Sequence, residues 1–270
     1  MRPRWIALLS ASVAVLVGVM TWVAVGAGIG VGNALVTAQS DRAEAAPEFA
    51  TTDVFAVSPD GALTPQPDGR ASRVWNELLR VTTPEFAASE IARYETGDDR
   101  DSDTLAYVAS ADDRAKWVFA ANLAFTDDRD LLLTTLIHEY AHMLSLGADD
   151  TDPAASDCDT EWAGAGCLLP DSDLQRFADR FWAGYTDAPA RDNVDPDVAW
   201  EFYQGHEDDF VSDYAATNVS EDFAETFAVF VLESDVDATD SVVARKFAFF
   251  DALPEYAGAR ERIRAEFDLG

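Results

Sequence analysis

Positive charge is scarce in this sequence. Its 270 residues include 19 lysines and arginines against 50 aspartates and glutamates, and the formal net charge is −31. Nucleic acids and anionic membrane surfaces attract proteins through basic faces. We therefore expect no nucleic acid among the partners of this protein. The acidity itself indicates good solubility, and it carries no information about catalysis.

Histidine and cysteine are also rare, which limits the metal sites and crosslinks that the chain can build. The sequence contains three histidines and two cysteines. Cys158 and Cys167 are closely spaced, but they form no C-x-x-C pair and have no histidine beside them. A metal site is therefore the weaker interpretation of these cysteines. We predict a Cys158–Cys167 disulfide, as is typical of an exported protein.

Charge is missing altogether from residues 5–40, a run of 36 residues. A membrane-spanning helix needs about 20 apolar residues, whereas the apolar part of a cleaved signal peptide has about 7–15. We predict an uncleaved signal anchor, a transmembrane helix, over residues 1–36. Cleavage near Ala38 is the alternative, and it would release a secreted protein. Arg2 and Arg4 precede the apolar run, which places the rest of the chain outside the cell membrane.

Apolar periodicity is weak over residues 37–70, where prolines recur among alanine, threonine and aspartate. This composition predicts a linker, followed by one domain over residues 71–270. Most of that domain has helical periodicity. Strands are predicted at 91–96, 105–110 and 116–126, the first two as a hairpin. The predicted fold class is α+β, mostly helical with a small mixed sheet.

One short motif carries chemistry. Residues 136–143 contain H-E-x-x-H within an apolar, helix-forming stretch. His138 and His142 are one helical turn apart on the same face, so they can hold one zinc ion together. Glu139 is then placed to act as the general base of a zinc hydrolase. The strand over 116–126 precedes this helix, and it is either a strand that lines the cleft and pairs with substrate or an ordinary core strand.

A hydrolytic zinc ion needs a third protein ligand. One class of zinc peptidase places a third histidine where this chain has Ala148, so that class is excluded. His206 lies in an acidic stretch typical of a solvated surface and is a weak candidate. Glu221 and Glu225 are one helical turn apart, and two interpretations are open. Glu221 forms a capping box with Asn218, or Glu221 binds zinc while Glu225 orients a zinc-bound imidazole.

The segment Tyr214–Phe227 reads Tyr-x-x-x-Asn-x-x-Glu-x-Phe-Ala-Glu-x-Phe. Together with the upstream H-E-x-x-H, it resembles the catalytic domain of the lethal-factor-like zinc peptidases, the anthrax lethal factor type of the gluzincins. The resemblance implies that Glu221 is the third zinc ligand. It also implies that the Tyr214 phenol assists at the oxyanion, and that Glu225 is the acid that supports a zinc-bound histidine.

The clear similarity covers residues 130–146 and 210–231, so it bears on fold and chemistry rather than on a biological target. We expect a membrane-tethered zinc metalloendopeptidase whose catalytic domain lies outside the cell and hydrolyses peptides or proteins. Zn²⁺ activates the water and Glu139 takes its proton. Two alternatives are a non-catalytic cell-surface binding protein with a structural or vestigial zinc site, and a chance motif in a metal-free protein.

Overall fold

The computed structural model describes residues 49–270, apart from 113–114, 156, 163, 165 and 235–240. The predicted signal anchor over residues 1–36 and the alternative cleavage position near Ala38 lie outside the described residues. Within the described part, no helix is both long and apolar enough to cross a membrane. The fold is α+β, about half helical with a small mixed sheet, as the sequence predicts.

The main sheet has five strands in the order β2-β1-β3-β5-β4. Strands β3 and β5 run parallel, and the other neighbouring pairs are antiparallel. The strands are β1 (Thr51–Val57), β2 (Leu63–Thr64), β3 (Ile91–Gly97), β4 (Ala106–Ser110) and β5 (Trp117–Asn122).

The linker predicted over residues 37–70 differs from the structure in its second half, because β1 and β2 belong to the sheet. β1 pairs along its length with β3. Phe55 is its one buried residue, and its ring lies 5.5 Å from that of Tyr94. Backbone pairing and a single aromatic contact hold β1 in place, so it lacks the apolar alternation that identifies a strand in sequence. The folded domain therefore begins before residue 71.

The predicted hairpin between residues 91–96 and 105–110 is wrong, although both strands exist. β5 lies between β3 and β4 and pairs with each of them. All six residues of β5 are buried, as suits a central strand covered on both faces. Asn122 ends β5, and its side-chain amide donates to the carbonyls of Asp99 (2.7 Å) and Thr104 (3.1 Å). This amide holds the loop after β3 against the end of β5.

Helices make up about half of the fold, in keeping with the helical periodicity of the sequence. Asp128 caps α3, where its side chain accepts from the N–H groups of the first turn, and Asn218 caps α6 in the same way. The helices are α1 (Gly69–Thr82), α2 (Pro84–Glu90), α3 (Arg129–Ser145), α4 (Asp173–Phe181), α5 (Pro196–Gly205), α6 (Val219–Leu232), α7 (Val242–Asp251) and α8 (Pro254–Glu266).

A short hairpin follows α3, formed by β6 (Thr151–Asp152) and β7 (Cys167–Leu168). The predicted disulfide between Cys158 and Cys167 is present in this region. Arg191 also holds the disulfide loop: its guanidinium donates to the Thr160 carbonyl (2.8 Å) and pairs with Glu161 (3.1 Å).

Helices α3 and α6 pack against each other at the centre of the domain. α3 also contacts α1 and β4 on the sheet side, whereas α6 contacts α4, α7 and α8. Aromatic rings fill the space behind α6, with Phe223 and Phe227 both within 5.5 Å of the ring of Phe250. The facing surfaces of α3 and α6 are therefore enclosed by the rest of the domain, and polar groups on them are removed from water.

Candidate metal centre

Helix α3 supplies three polar side chains to the buried interface with α6. His138, Glu139 and His142 are 1%, 0% and 1% exposed. The apolar residues of the same helix explain this burial, since Leu136, Ile137, Tyr140, Ala141 and Met143 are also buried. A helix buried on nearly all sides carries its polar residues into the core, where they need partners.

Helix α6 supplies two carboxylates to the same interface. Glu221 is 1% exposed and Glu225, one turn later, is 2% exposed. The Asn218 side chain accepts from the backbone N–H groups of Ser220 and Glu221, which begins the helix. The carboxylate of Glu221 lies at the histidines, 3.3 Å from His138 Nε2. Asn218 thus caps α6, and the Glu221 side chain serves the site.

Three ligand-type atoms converge at this point. The Nε2 atoms of His138 and His142 are 3.0 Å apart, and Glu221 Oε2 lies 3.3 Å and 3.5 Å from them. Ligands about 2.0–2.1 Å from a tetrahedral zinc ion are about 3.3–3.4 Å apart. The spacing of the three atoms therefore fits one metal ion bound by all of them. Within the described residues, these three form the buried His/Glu group able to hold a metal ion.

Glu225 supports one of the two imidazoles. Its Oε1 lies 2.9 Å from His138 Nδ1, and its Oε2 accepts a hydrogen bond from Ser212 Oγ at 2.7 Å. A carboxylate beside Nδ1 favours the tautomer with its hydrogen there, which leaves the Nε2 lone pair directed at the ligand group. Ser212 is not indicated by any pattern in the sequence, because its hydroxyl meets Glu225 only through the fold.

The pKa shifts of His138, His142 and Glu221 indicate which of these side chains are charged when no metal is bound. Burial lowers the pKa of His138, but its contacts with Glu221 and Glu225 outweigh burial and raise that pKa to about 10. Burial raises the pKa of Glu221, but the imidazoles of His142 and His138 outweigh it and lower that pKa to about 2. The pKa of His142 is lowered, mainly by burial. Without metal, His138 therefore carries a proton beside an ionised Glu221.

The balance of charge also fits a cation. Glu139, Glu221 and Glu225 place three carboxyl groups in one buried region together with two imidazoles. Burying carboxylates is costly unless positive charge compensates them. A proton on His138 offsets one negative charge, whereas a divalent cation held by the Nε2 and Oε2 atoms offsets two. Two imidazoles and one carboxylate are ligand types that divalent transition metals accept.

Tyr214 lies beside this group, in a short 3-10 turn (Tyr214–Ala216) just before α6. Its ring centroid is 6.0 Å from that of His138. Its ring also packs in a small apolar cluster with Leu105, Phe125 and Leu131, next to the site. The fold thus brings Tyr214 close to the candidate ligand residues.

His206 lies outside the group formed by His138, His142 and Glu221. Its Nε2 is 3.1 Å from Asp187, and its ring packs against Tyr185 and Phe202. It is not a member of the buried group with His138 and His142. The weak candidate for the third ligand is therefore not at the site.

The chain matches no protein-family model, no curated protein and no solved structure.

Proposed function

We propose that this protein is a zinc-dependent metalloendopeptidase of the gluzincin type, similar to the lethal-factor-like peptidases. The observation that supports this most is the triangle of His138 Nε2, His142 Nε2 and Glu221 Oε2, with sides of 3.0, 3.3 and 3.5 Å. Three protein ligands leave a fourth position of a tetrahedral ion for water, which is the arrangement of catalytic rather than structural zinc.

Each residue of the site has a defined role in this proposal. Bound zinc would lower the pKa of a water molecule to about 7 and polarise the substrate carbonyl. Glu139, adjacent to His138 in the same helix, accepts the proton of that water and passes it to the leaving amine. The Tyr214 hydroxyl donates a hydrogen bond to the carbonyl oxygen as negative charge develops on it. Glu225 holds the His138 ring in the tautomer that leaves Nε2 free to bind.

The sheet order indicates which strand could pair with the backbone of a peptide substrate. β5, the strand before the motif helix, pairs with β3 on one side and β4 on the other. β4 is one of the two edge strands of the described sheet, and it packs against α3. An extended peptide adds to the edge of a sheet rather than to its centre. We therefore assign substrate backbone pairing to β4.

The tether and location belong to the same proposal. The uncharged run over residues 5–40 would anchor the protein in the cell membrane, with the peptidase domain outside, or direct its secretion if cleaved near Ala38. The Cys158–Cys167 disulfide supports an oxidising compartment. Peptides or proteins outside the cell are then the substrates.

The test uses full-length protein, wild type and Glu139→Gln. We expect one zinc per chain in both, and cleavage of an unfolded protein substrate by the wild type alone, with at least a 100-fold loss of kcat in Glu139→Gln. The matched control is Glu201→Gln, which alters an exposed glutamate of α5 and should cleave at the wild-type rate.

Three outcomes would contradict the proposal in different ways. Equal turnover in wild type and Glu139→Gln would remove Glu139 from the mechanism. Zinc bound at one per chain without turnover in the wild type would favour a non-catalytic binding protein with a structural zinc site. A wild-type protein without zinc would support a chance motif.

A further inference from the structure

Ser212 connects two parts of the candidate site that are separate in the sequence. Its hydroxyl donates to Glu225 Oε2 at 2.7 Å and accepts from the backbone N–H of Ala215 at 3.0 Å. Glu225 in turn contacts His138 Nδ1 through its other oxygen, Oε1, at 2.9 Å. A continuous hydrogen-bonded path therefore runs from His138 through Glu225 and Ser212 to the turn that carries Tyr214.

The geometry of this path is well defined. A serine hydroxyl has a single hydrogen, and that of Ser212 is directed at the carboxylate, so its lone pairs are left to accept from Ala215. Ser212 is only 5% exposed, and Glu225 is 2% exposed. In a buried region water does not readily replace a lost hydrogen bond, so each bond in the path restricts its neighbours.

The segment before Tyr214 is attached to α6 at two points. Lys246 Nζ donates to the Asp209 carbonyl (2.8 Å) and pairs with Asp222 of α6 (2.6 Å). The second attachment is the hydrogen bond from Ser212 to Glu225, one turn further along α6. Tyr214 is two residues after Ser212, so the Ser212 hydroxyl joins α6 to the start of the 3-10 turn that carries Tyr214.

We propose that Ser212 is a positioning residue that sets two groups together: the Glu225 carboxylate that orients His138, and the turn that presents Tyr214. Without its hydroxyl, Glu225 loses the partner of Oε2 and can rotate away from His138. The turn at residues 214–216 also loses its side-chain restraint at the Ala215 N–H. The effect on His138 depends only on the path itself, whereas the effect through Tyr214 rests on the proposed peptidase function.

The variants are Ser212→Ala, which removes the hydroxyl, and Ser212→Thr, which keeps it. The matched control is Thr226→Val. Thr226 is a residue of α6 whose hydroxyl is also buried. That hydroxyl donates to Asp222 (2.9 Å) and is not part of the path from His138 through Glu225 to Ser212.

The first measurement is made on metal-free protein and needs no activity. The chain has three histidines, so the imidazole nitrogen resonances can be assigned by NMR. We expect Ser212→Ala to shift Nδ1 of His138 by several parts per million while His206 stays unchanged. Ser212→Thr and Thr226→Val should keep the wild-type value. An unchanged His138 resonance in a folded Ser212→Ala protein would overturn the proposal.

The second measurement is zinc affinity, by competition with a chelator of known affinity. Loss of a group that supports a zinc-bound histidine typically lowers affinity 10–100-fold. Ser212 acts one hydrogen bond further away, so we expect about a 3–10-fold loss in Ser212→Ala and less than 2-fold in Thr226→Val. Equal losses in the two variants would show a general packing effect and would contradict a positioning role.

The third measurement is the split between kcat and KM. We expect Ser212→Ala to lower kcat about 10-fold with KM within 2-fold, and much less of that loss to remain in a Tyr214→Phe background, since both changes act on one turn. Fully additive losses would remove the Tyr214 part of the proposal. A wild type without turnover would instead contradict the peptidase function, and the NMR result would still decide the role of Ser212.

Discussion

The carboxylates of Glu221 and Asp222, which are consecutive residues of α6, bind partners on two different neighbouring helices. Glu221 Oε2 lies 3.3 Å from His138 Nε2, towards α3. Asp222 Oδ2 lies 2.6 Å from Lys246 Nζ, towards α7, and accepts from Trp182 Nε1–H at 2.8 Å. The first turn of α6 is thus bound to α3 through Glu221 and to α7 through Asp222. A rotation of α6 that frees one carboxylate also breaks the contacts of the other.

Replacing Lys246 by methionine should destabilise the protein strongly. Both Lys246 and Asp222 are 0% exposed, and removing one partner leaves the other charge buried. We expect Lys246→Met to lower the free energy of unfolding by about 3–5 kcal/mol, measured by urea denaturation. Arg176→Gln breaks a surface pair with Asp173 instead, and it should cost less than about 1 kcal/mol. Similar losses of unfolding free energy in both variants would show that the buried pair contributes no more to stability than the surface pair.

The two glutamates of α6 should differ in their effect on zinc. Glu221 Oε2 belongs to the ligand triangle, whereas Glu225 reaches zinc only through His138. We expect Glu225→Ala to weaken zinc binding about 10–100-fold and Glu221→Ala to weaken it further. Chelator competition measures both, with Glu201→Ala as the control outside the site. The opposite order would mean that the roles of the two acids are exchanged.

Asp150 should make stability depend on pH. Burial, followed by repulsion from Asp173 and Glu255, raises the pKa of Asp150 to about 6. A raised pKa means that the folded state binds the proton more tightly than the unfolded chain does. The contribution of Asp150 to stability is therefore fully present below pH about 4 and is lost as the pH rises through about 6.

The variant Asp150→Asn removes this dependence. We expect it to match the wild type near pH 4 and to be more stable by about 1–2 kcal/mol above pH 6, a figure reduced because the half-buried carboxyl still meets solvent. Urea denaturation of both proteins at the two pH values measures the difference. A difference that is the same at both values would refute the prediction.

The disulfide should contribute measurable stability. Cys158 and Cys167 are nine residues apart, and a loop of this size stabilises by about 2–3 kcal/mol in the chain-entropy model. We expect the double variant Cys158→Ser, Cys167→Ser to lose that amount in urea denaturation. The chain has no other cysteine, so wild type with a reductant should match the variant, and the reductant should leave the variant unchanged. A reductant effect on the variant would point to another cause.

Local patterns in the sequence predict most of the helices, and they point to the three residues of the candidate metal site. The spacing of His138 and His142 on α3 depends on helix periodicity alone, and Asn218 begins α6 through contacts within one turn. The sequence is compatible with two roles for Glu221, because a capping box and a metal ligand both use glutamate near a helix start. The position of its carboxylate depends on α3, which lies about 80 residues earlier in the chain.

Features that depend on distant partners were not predicted. β1 has one buried side chain and owes its place to pairing with β3. Asn122, at the end of β5, makes four hydrogen bonds to three residues, Asp99, Thr104 and Ala124, which lie in two different loops or turns. Lys246 has the sequence context of a surface lysine, and Ser212 that of a loop serine. Their burial follows from the packing of α6 and α7, which no local pattern encodes.

The candidate metal ligands come from two helices, α3 and α6, so metal binding and folding stability should be coupled. Any ion held by His138, His142 and Glu221 binds the folded chain and not the separated helices, so its binding energy adds to folding stability by mass action. The melting temperature should then rise with free zinc concentration and fall with chelator. A partly loaded preparation is a mixture of two species and should melt in two steps, so metal content must be known before variants are compared.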